Sequence, residues 1–186
     1  MRFLVRLLPP SHSRDEFLAS VRALAKSGGA EARNPKWTSY GALELDVFCP
    51  TRNDFDLFVS IVRPISEFEF TRDLSVAPPQ KPEAELFAEA RALFNAERYW
   101  ESHEVLEGIW RQKQGAEKRY LQGLILVCAA YVHEQKGETN VALGVLDRAA
   151  RQLEYPEPTY DGFDVDEVKS RVEKMLSDGR LSVFPV

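Results

Sequence analysis

The 186 residues contain only two cysteines, and nothing pairs them: Cys49 closes a strand-like run, Cys128 sits among apolar residues of a helical pattern, and no CxxC spacing occurs. A disulfide framework has nothing to build on, so both thiols are expected to be reduced. Long hydrophobic runs are missing too. Every candidate is broken by Arg, Asp, Glu or Lys before it reaches the roughly 20 residues of a membrane-spanning helix. The first ten residues, MRFLVRLLPP, make a poor secretory leader, because the apolar stretch is short, contains Arg6 and leads into a helical pattern rather than a small-residue cleavage site. The cytoplasm is the expected compartment, with no membrane partner. Nor is there an excess of positive charge. Residues 1–77 hold ten basic and ten acidic side chains and the remainder fourteen and nineteen, so the net charge of -5 lies in the second half. An acidic segment without a basic stripe is a poor match for a phosphate backbone, and nucleic acid is not an expected partner.

What is present reads as an α+β chain in two parts. Arg2 to Leu8 has the character of a strand. Ser13 and Glu16 are spaced as a capping box before a helix whose Phe17, Leu18, Val21, Leu24 and Ala25 recur at helical spacing until Gly28 and Gly29. Strands are expected over 32–39 and 43–48, around a turn at Tyr40 and Gly41; in the second, Leu43, Leu45 and Val47 alternate with Glu44 and Asp46. A helix from Asn53 to about Val62 ends before Pro64. A last strand over 67–76 is expected to face Phe68, Phe70, Leu74 and Val76 one way. The order is βαββαβ, the ferredoxin-like arrangement, over residues 1–77. That fold serves unrelated functions. An RNA-binding version needs a basic third strand carrying stacking aromatics, and SYGALELDVF does not supply one.

Residues 78–82, with three prolines in five positions, resist both helix and strand and form the expected linker. Residues 83–186 read as an all-helical domain, with helices expected over 83–96, 98–112, 117–135, 139–153 and 164–176 and a loop over 155–162. A repeat lies inside it. VLEGIWRQ at 105–112 matches VLDRAARQ at 145–152, forty positions on, with four identities and an Asp for a Glu. Two stacked helical hairpins would give that period; chance likeness between amphipathic helices is the competing explanation.

One polar motif stands out, HEVLE at 103–107. At about 100° per residue, His103 falls between Trp110 and Glu107, and Glu107 falls beside Trp100, with Glu104 just beyond. Polar groups thus border two tryptophans that should be buried. Glu107 and its counterpart Asp147 each have an arginine four residues on, Arg111 and Arg151, in the favourable order for an intrahelical pair. His103 has no such explanation, since its counterpart is Leu143, expected in the core. It is either a hydrogen-bonded core histidine or a working group. A metal is the obvious working role, with His103 and Glu107 as ligands. The pattern is incomplete, however: neither HExxH nor ExxH occurs. Further ligands would come from the stripe Gln122, Leu126, Ala129 and His133, and Gln122 and His133 lie about 16 Å apart along a helix, so at most one could help. His133, beside Glu134 near a helix end, reads as a partly exposed terminal residue, and Cys128 as a packed small hydrophobe.

FNAERYWESHEVLEGIW at 94–110 and YLQGLILVCAAYVH at 120–133 resemble the domain of unknown function 309 family, over roughly residues 83–153. The residues that carry the likeness are Asn95, Tyr99, Trp100, His103, Glu104, Glu107, Trp110, Gln122 and Gly123; Glu97 and Ser102 stand where the family often has Gly and Ala. The resemblance implies an all-helical domain in an intracellular prokaryotic setting, with no established activity. The function expected from the sequence is a helical binding or interaction module for a protein or small molecule, its site at Trp100, His103, Glu104, Glu107, Trp110 and Gln122. The other reading is a metal-dependent, hydrolase-like enzyme using His103, Glu104 and Glu107. On the first reading, no added divalent metal is expected to stabilise the chain.

Overall fold

β1 (Arg2–Leu8) is buried on both sides through its middle five residues, and alternation sorts its side chains between two faces of a four-stranded sheet. Phe3, Val5 and Leu7 point to one face. There they meet Leu43, Leu45 and Val47 of β3 (Leu43–Phe48), under α1 (Arg14–Ser27) and α2 (Arg52–Val62). β2 (Glu31–Trp37) and β4 (Glu67–Asp73) complete the sheet, whose order is β2-β3-β1-β4 with every pairing antiparallel. The computed structural model describes residues 1–9 and 13–186. The chain divides into two compact units, Met1–Pro79 and Gln80–Val186. No helix among the described residues is long and apolar enough to cross a membrane.

Both helices of the first unit start as their sequences dictate. Ser13 accepts from the Glu16 amide at 3.2 Å. Thr51 and Asp54 form a reciprocal capping box, so α2 begins one residue earlier than expected. The second strand ends at Trp37 rather than at 39, and the last at Asp73 rather than at 76. The expected single face of that last strand is also corrected. The register with β1 shifts between Arg6, opposite Phe70, and Leu7, opposite Phe68. The bulge leaves Glu69 as the extra residue, so Phe68 joins the core while Phe70 lies under the Arg6 guanidinium, 5.1 Å from ring to charge. On that second face Arg6 is wholly buried and Glu44 nearly so. Glu44 binds Arg6 at 2.9 Å and Lys36 at 2.6 Å, one cation to each oxygen.

The second unit is built from α3 (Glu83–Asn95), α4 (Tyr99–Trp110), α5 (Gly115–Gln135), α6 (Thr139–Ala150) and α7 (Val165–Asp178). No helix or strand forms over 77–82. The loop expected over 155–162 holds a two-stranded hairpin, β5 (Thr159–Tyr160) and β6 (Phe163–Asp164), turned by Asp161 and Gly162 at φ 47° and 88°. Two successive left-handed residues are what a tight hairpin turn requires, and Asp-Gly supplies them. Tyr160 and Phe163 are buried by this hairpin, and Asp164 then caps α7, accepting from the Glu167 amide at 2.9 Å.

The forty-residue period is visible in the backbone. α4 and α6 start and stop forty positions apart, and the turns before them agree hydrogen bond by hydrogen bond. Arg98 N donates to Leu93 O and Glu138 N to His133 O, at 2.9 and 3.0 Å; Glu97 N donates to Phe94 O and Gly137 N to Glu134 O, at 2.9 and 2.8 Å. Glu97 and Gly137 are both left-handed, φ 53° and 78°. The cores correspond as well: Ala90 with Ala130, Leu106 with Leu146 and Ile109 with Ala149 are all buried pairs. The hairpins α3–α4 and α5–α6 therefore share one turn and one set of buried positions, although α5 is longer than α3, which favours duplication over chance likeness.

Candidate functional site

α4 turns Tyr99, Ser102, Leu106 and Ile109 inward, at the i, i+3, i+7 and i+10 spacing of a buried stripe. Tyr99 stacks on Tyr131 of α5, centroids 4.5 Å apart, and Ser102 donates to Ala90 O at 2.9 Å while accepting from the Cys128 thiol at 3.5 Å. The tryptophans are not on this stripe. Trp100 and Trp110 flank it and are half-buried, contrary to the expectation of burial; the Lys118 ammonium lies over the Trp110 ring at 4.2 Å. Aromatic bulk at the margin of the stripe leaves the helix's outer face to the polar motif.

That face carries His103, Glu104 and Glu107. One ligand atom from each lies within 4.8 Å of the others. His103 Nδ1 is buried, has no hydrogen-bond partner and stands 3.5 Å from Glu104 Oε1. Glu104 is exposed, and Glu107 is half-buried and paired with Arg111 at 3.1 Å. The duplicate pair, Asp147 with Arg151 at 2.5 Å, repeats this contact in α6. Leu143, the counterpart of His103, is half-buried rather than in the core. The position therefore lies on a partly wet surface in both hairpins, and a histidine there is not forced to find a buried partner.

The remaining candidates separate by what they touch. The stripe Gln122, Leu126, Ala129 and His133 is half-buried throughout, so it does form one continuous margin of α5. The contacts Trp110–Lys118, Ser102–Cys128 and Tyr99–Tyr131 set the antiparallel register of α4 and α5 and bring Gln122 level with Glu107. No hydrogen bond or ion pair among the described residues joins Gln122 to the polar triad. His133 Nδ1 lies 2.5 Å from Glu138, a pairing that holds the Glu138 carboxyl below its usual range and keeps His133 apart from the cluster. Burial pushes the Cys128 thiol up to about 12, as suits an inert packed residue rather than a nucleophile.

Three of the motif residues serve the fold. Asn95 donates to Val186 O at 3.2 Å and accepts from Val186 N at 2.9 Å, holding the last stretch of chain. Tyr99 is core. A Cβ on Gly123 would come within 2.8 Å of Leu153, so α5 needs glycine where the segment after α6 crosses it. The sequence reading missed Glu101, which is buried and takes a two-pronged bond from Arg98 at 2.5 and 2.7 Å. The spacing of Arg98 and Glu101 was the available signal.

Residues 87–145 match the family model described as domain of unknown function DUF309. A conserved hypothetical protein from Thermus thermophilus, known from its crystal structure, is 34% identical; the match covers 49% of this chain and 95% of that one, with a TM-score of 0.43. No curated protein sequence matches.

Proposed function

We propose from geometry, since the description of the family model that residues 87–145 match assigns no activity, that the helical unit is a binding module with its site on the outer face of α4. Trp100, His103, Glu104, Glu107 and Trp110 form that site, and Gln122 of α5 lies level with it. One observation carries the reading. The second hairpin builds the same backbone with Asn140, Leu143, Gly144 and Ala150 where the first has Trp100, His103, Glu104 and Trp110. The second hairpin forms that backbone without the polar and aromatic set, while Asn95, Tyr99 and Gly123 are accounted for by their contacts. Half-exposed polar and aromatic groups at positions where the second hairpin keeps neither are the usual material of a binding surface.

The test exchanges one hairpin's residues for the other's. A variant of the full chain with His103→Leu and Glu107→Asp carries the residues of α6 at those positions. If the polar face is kept for binding, the exchange leaves the melting temperature unchanged or raises it, because half-buried imidazole gives way to leucine on the same backbone. A loss of stability above about 1 kcal/mol would assign the motif to the fold and end the reading.

A further inference from the structure

We propose that the helical unit holds a second site, apart from the outer face of α4: a groove between α3, α5 and α7 that recognises an extended, uncharged peptide segment with an aromatic anchor, filled in this chain by its own residues 181–186 as a displaceable plug. The seated segment shows what the groove reads. LSVFPV, at 181–186, follows α7 without forming helix or strand. Phe184 and Val186 face inward while Val183 and Pro185 are exposed, the two-residue alternation of an extended chain. Phe184 is 3% exposed, and its ring meets Phe94 of α3 at 5.7 Å and Tyr131 of α5 at 6.3 Å.

Side chains of the groove hold the segment's backbone. The Tyr131 hydroxyl donates to Ser182 O, and the Ser182 amide donates to Met175 Sδ of α7 at 3.2 Å. Asn95, at the end of α3, takes both polar groups of Val186, accepting from its N–H at 2.9 Å and donating to its C=O at 3.2 Å. Bonds to main-chain atoms supply affinity whatever the side chain, and the pocket for Phe184 supplies selectivity.

Three observations separate a plug from an ordinary packed segment. Phe94, Asn95, Ser102, Leu124, Cys128 and Tyr131 all lie within the residues 87–145 that match the family model, whereas the segment lies outside them. The segment also leaves the groove unfilled. Beside Val186 remains a cavity of about 10 Å³ that Ser102, Leu124 and Cys128 help to line. Ser102 bonds Ala90 O and the Cys128 thiol bonds Ser102, so the space suits hydrocarbon, and a side chain one methylene larger than valine would enter it. Finally, Gly179 and Arg180 between α7 and the segment are exposed, with Gly179 left-handed at φ 64°. Rotation there frees the segment without unwinding the helix.

The experiment titrates the full chain with a synthetic peptide of residues 181–186, both ends blocked, and with the same peptide carrying Val186→Leu. Phe184→Ala in the protein empties the groove, so this variant should bind the peptide at least about tenfold more tightly than wild type, whose own segment competes. The leucine peptide should bind about fourfold more tightly than its parent, the worth of one further buried methylene. Adding Asn95→Ala to Phe184→Ala should weaken binding at least about tenfold. A wild-type arm decides the matter if Phe184→Ala does not fold: excess leucine peptide should speed tryptic cleavage after Arg180, because a displaced segment is open to the protease. Cleavage unmoved by the peptide overturns the proposal, as does equal affinity of wild type and Phe184→Ala or binding that survives Asn95→Ala. A wild-type dimer that Phe184→Ala converts to monomer would assign the groove to the segment of a second copy and end the reading of an outside peptide partner.

Discussion

Gly137→Ala isolates the turn that the two hairpins share. Gly137 has a φ of +78°, and an added Cβ would meet nothing within 4 Å. No clash contributes, and the cost is that of an L-residue in the left-handed region, about 1–2 kcal/mol. Alanine also narrows the unfolded ensemble, which returns about 0.4–1 kcal/mol. The difference is a destabilisation of about 1 kcal/mol, or about 2–4 °C in melting temperature for a chain of this size. The assay is urea unfolding followed by tryptophan fluorescence in a Trp37→Phe background, where Trp100 and Trp110 report on the helical unit. The duplicate position is a less clean probe, because Glu97 is buried and its carbonyl accepts from Gln135 at 3.0 Å. A neutral Gly137→Ala would refute the left-handed turn. A loss above about 3 kcal/mol would mean that the turn is held by contacts beyond its own hydrogen bonds.

Glu44→Gln should be far more costly, about 3 kcal/mol by thermal or urea unfolding, because it leaves Arg6 and Lys36, both buried, facing a neutral amide; a loss under about 1 kcal/mol would show that other partners carry those charges. Cys128 should resist iodoacetamide at about pH 8 in the folded chain, its thiol being buried and pushed up to about 12, and modification at the rate of an unfolded control would contradict its packing.

The strands and helices were legible because their apolar positions recur with the period of the element: Phe3, Val5 and Leu7 at two, and Phe17, Val21 and Ala25 at four. What escaped the reading depends on contacts between segments. The bulge at Glu69 turns Phe70 away from Phe68, and nothing within EFEFTRD announces it, since it arises in the pairing with β1. The hairpin at Asp161 and Gly162 was hidden by Pro156 and Pro158, which drew the whole stretch into a loop although Asp-Gly is a turn signal in its own right. On α4 a wheel placed the tryptophans inward because they are the bulkiest apolar groups. The partner helix instead received Tyr99, whose ring has Tyr131 to stack on. Which of two adjacent faces is buried is decided by the neighbour, and periodicity leaves that choice open.

The duplication separates the energetics of Glu107 from its chemistry. Were its pair with Arg111 peculiar to the first hairpin, it could be read as part of the site. Because Asp147 and Arg151 repeat it where no histidine stands, the pair belongs to the common helix. An exposed i,i+4 pair is worth about 0.3–0.5 kcal/mol. Arg111→Ala should therefore cost no more than about 0.5 kcal/mol by urea unfolding. The same small cost is expected of Arg151→Ala, and a loss above about 1 kcal/mol at either position would show that the arginine does more than pair within its own helix.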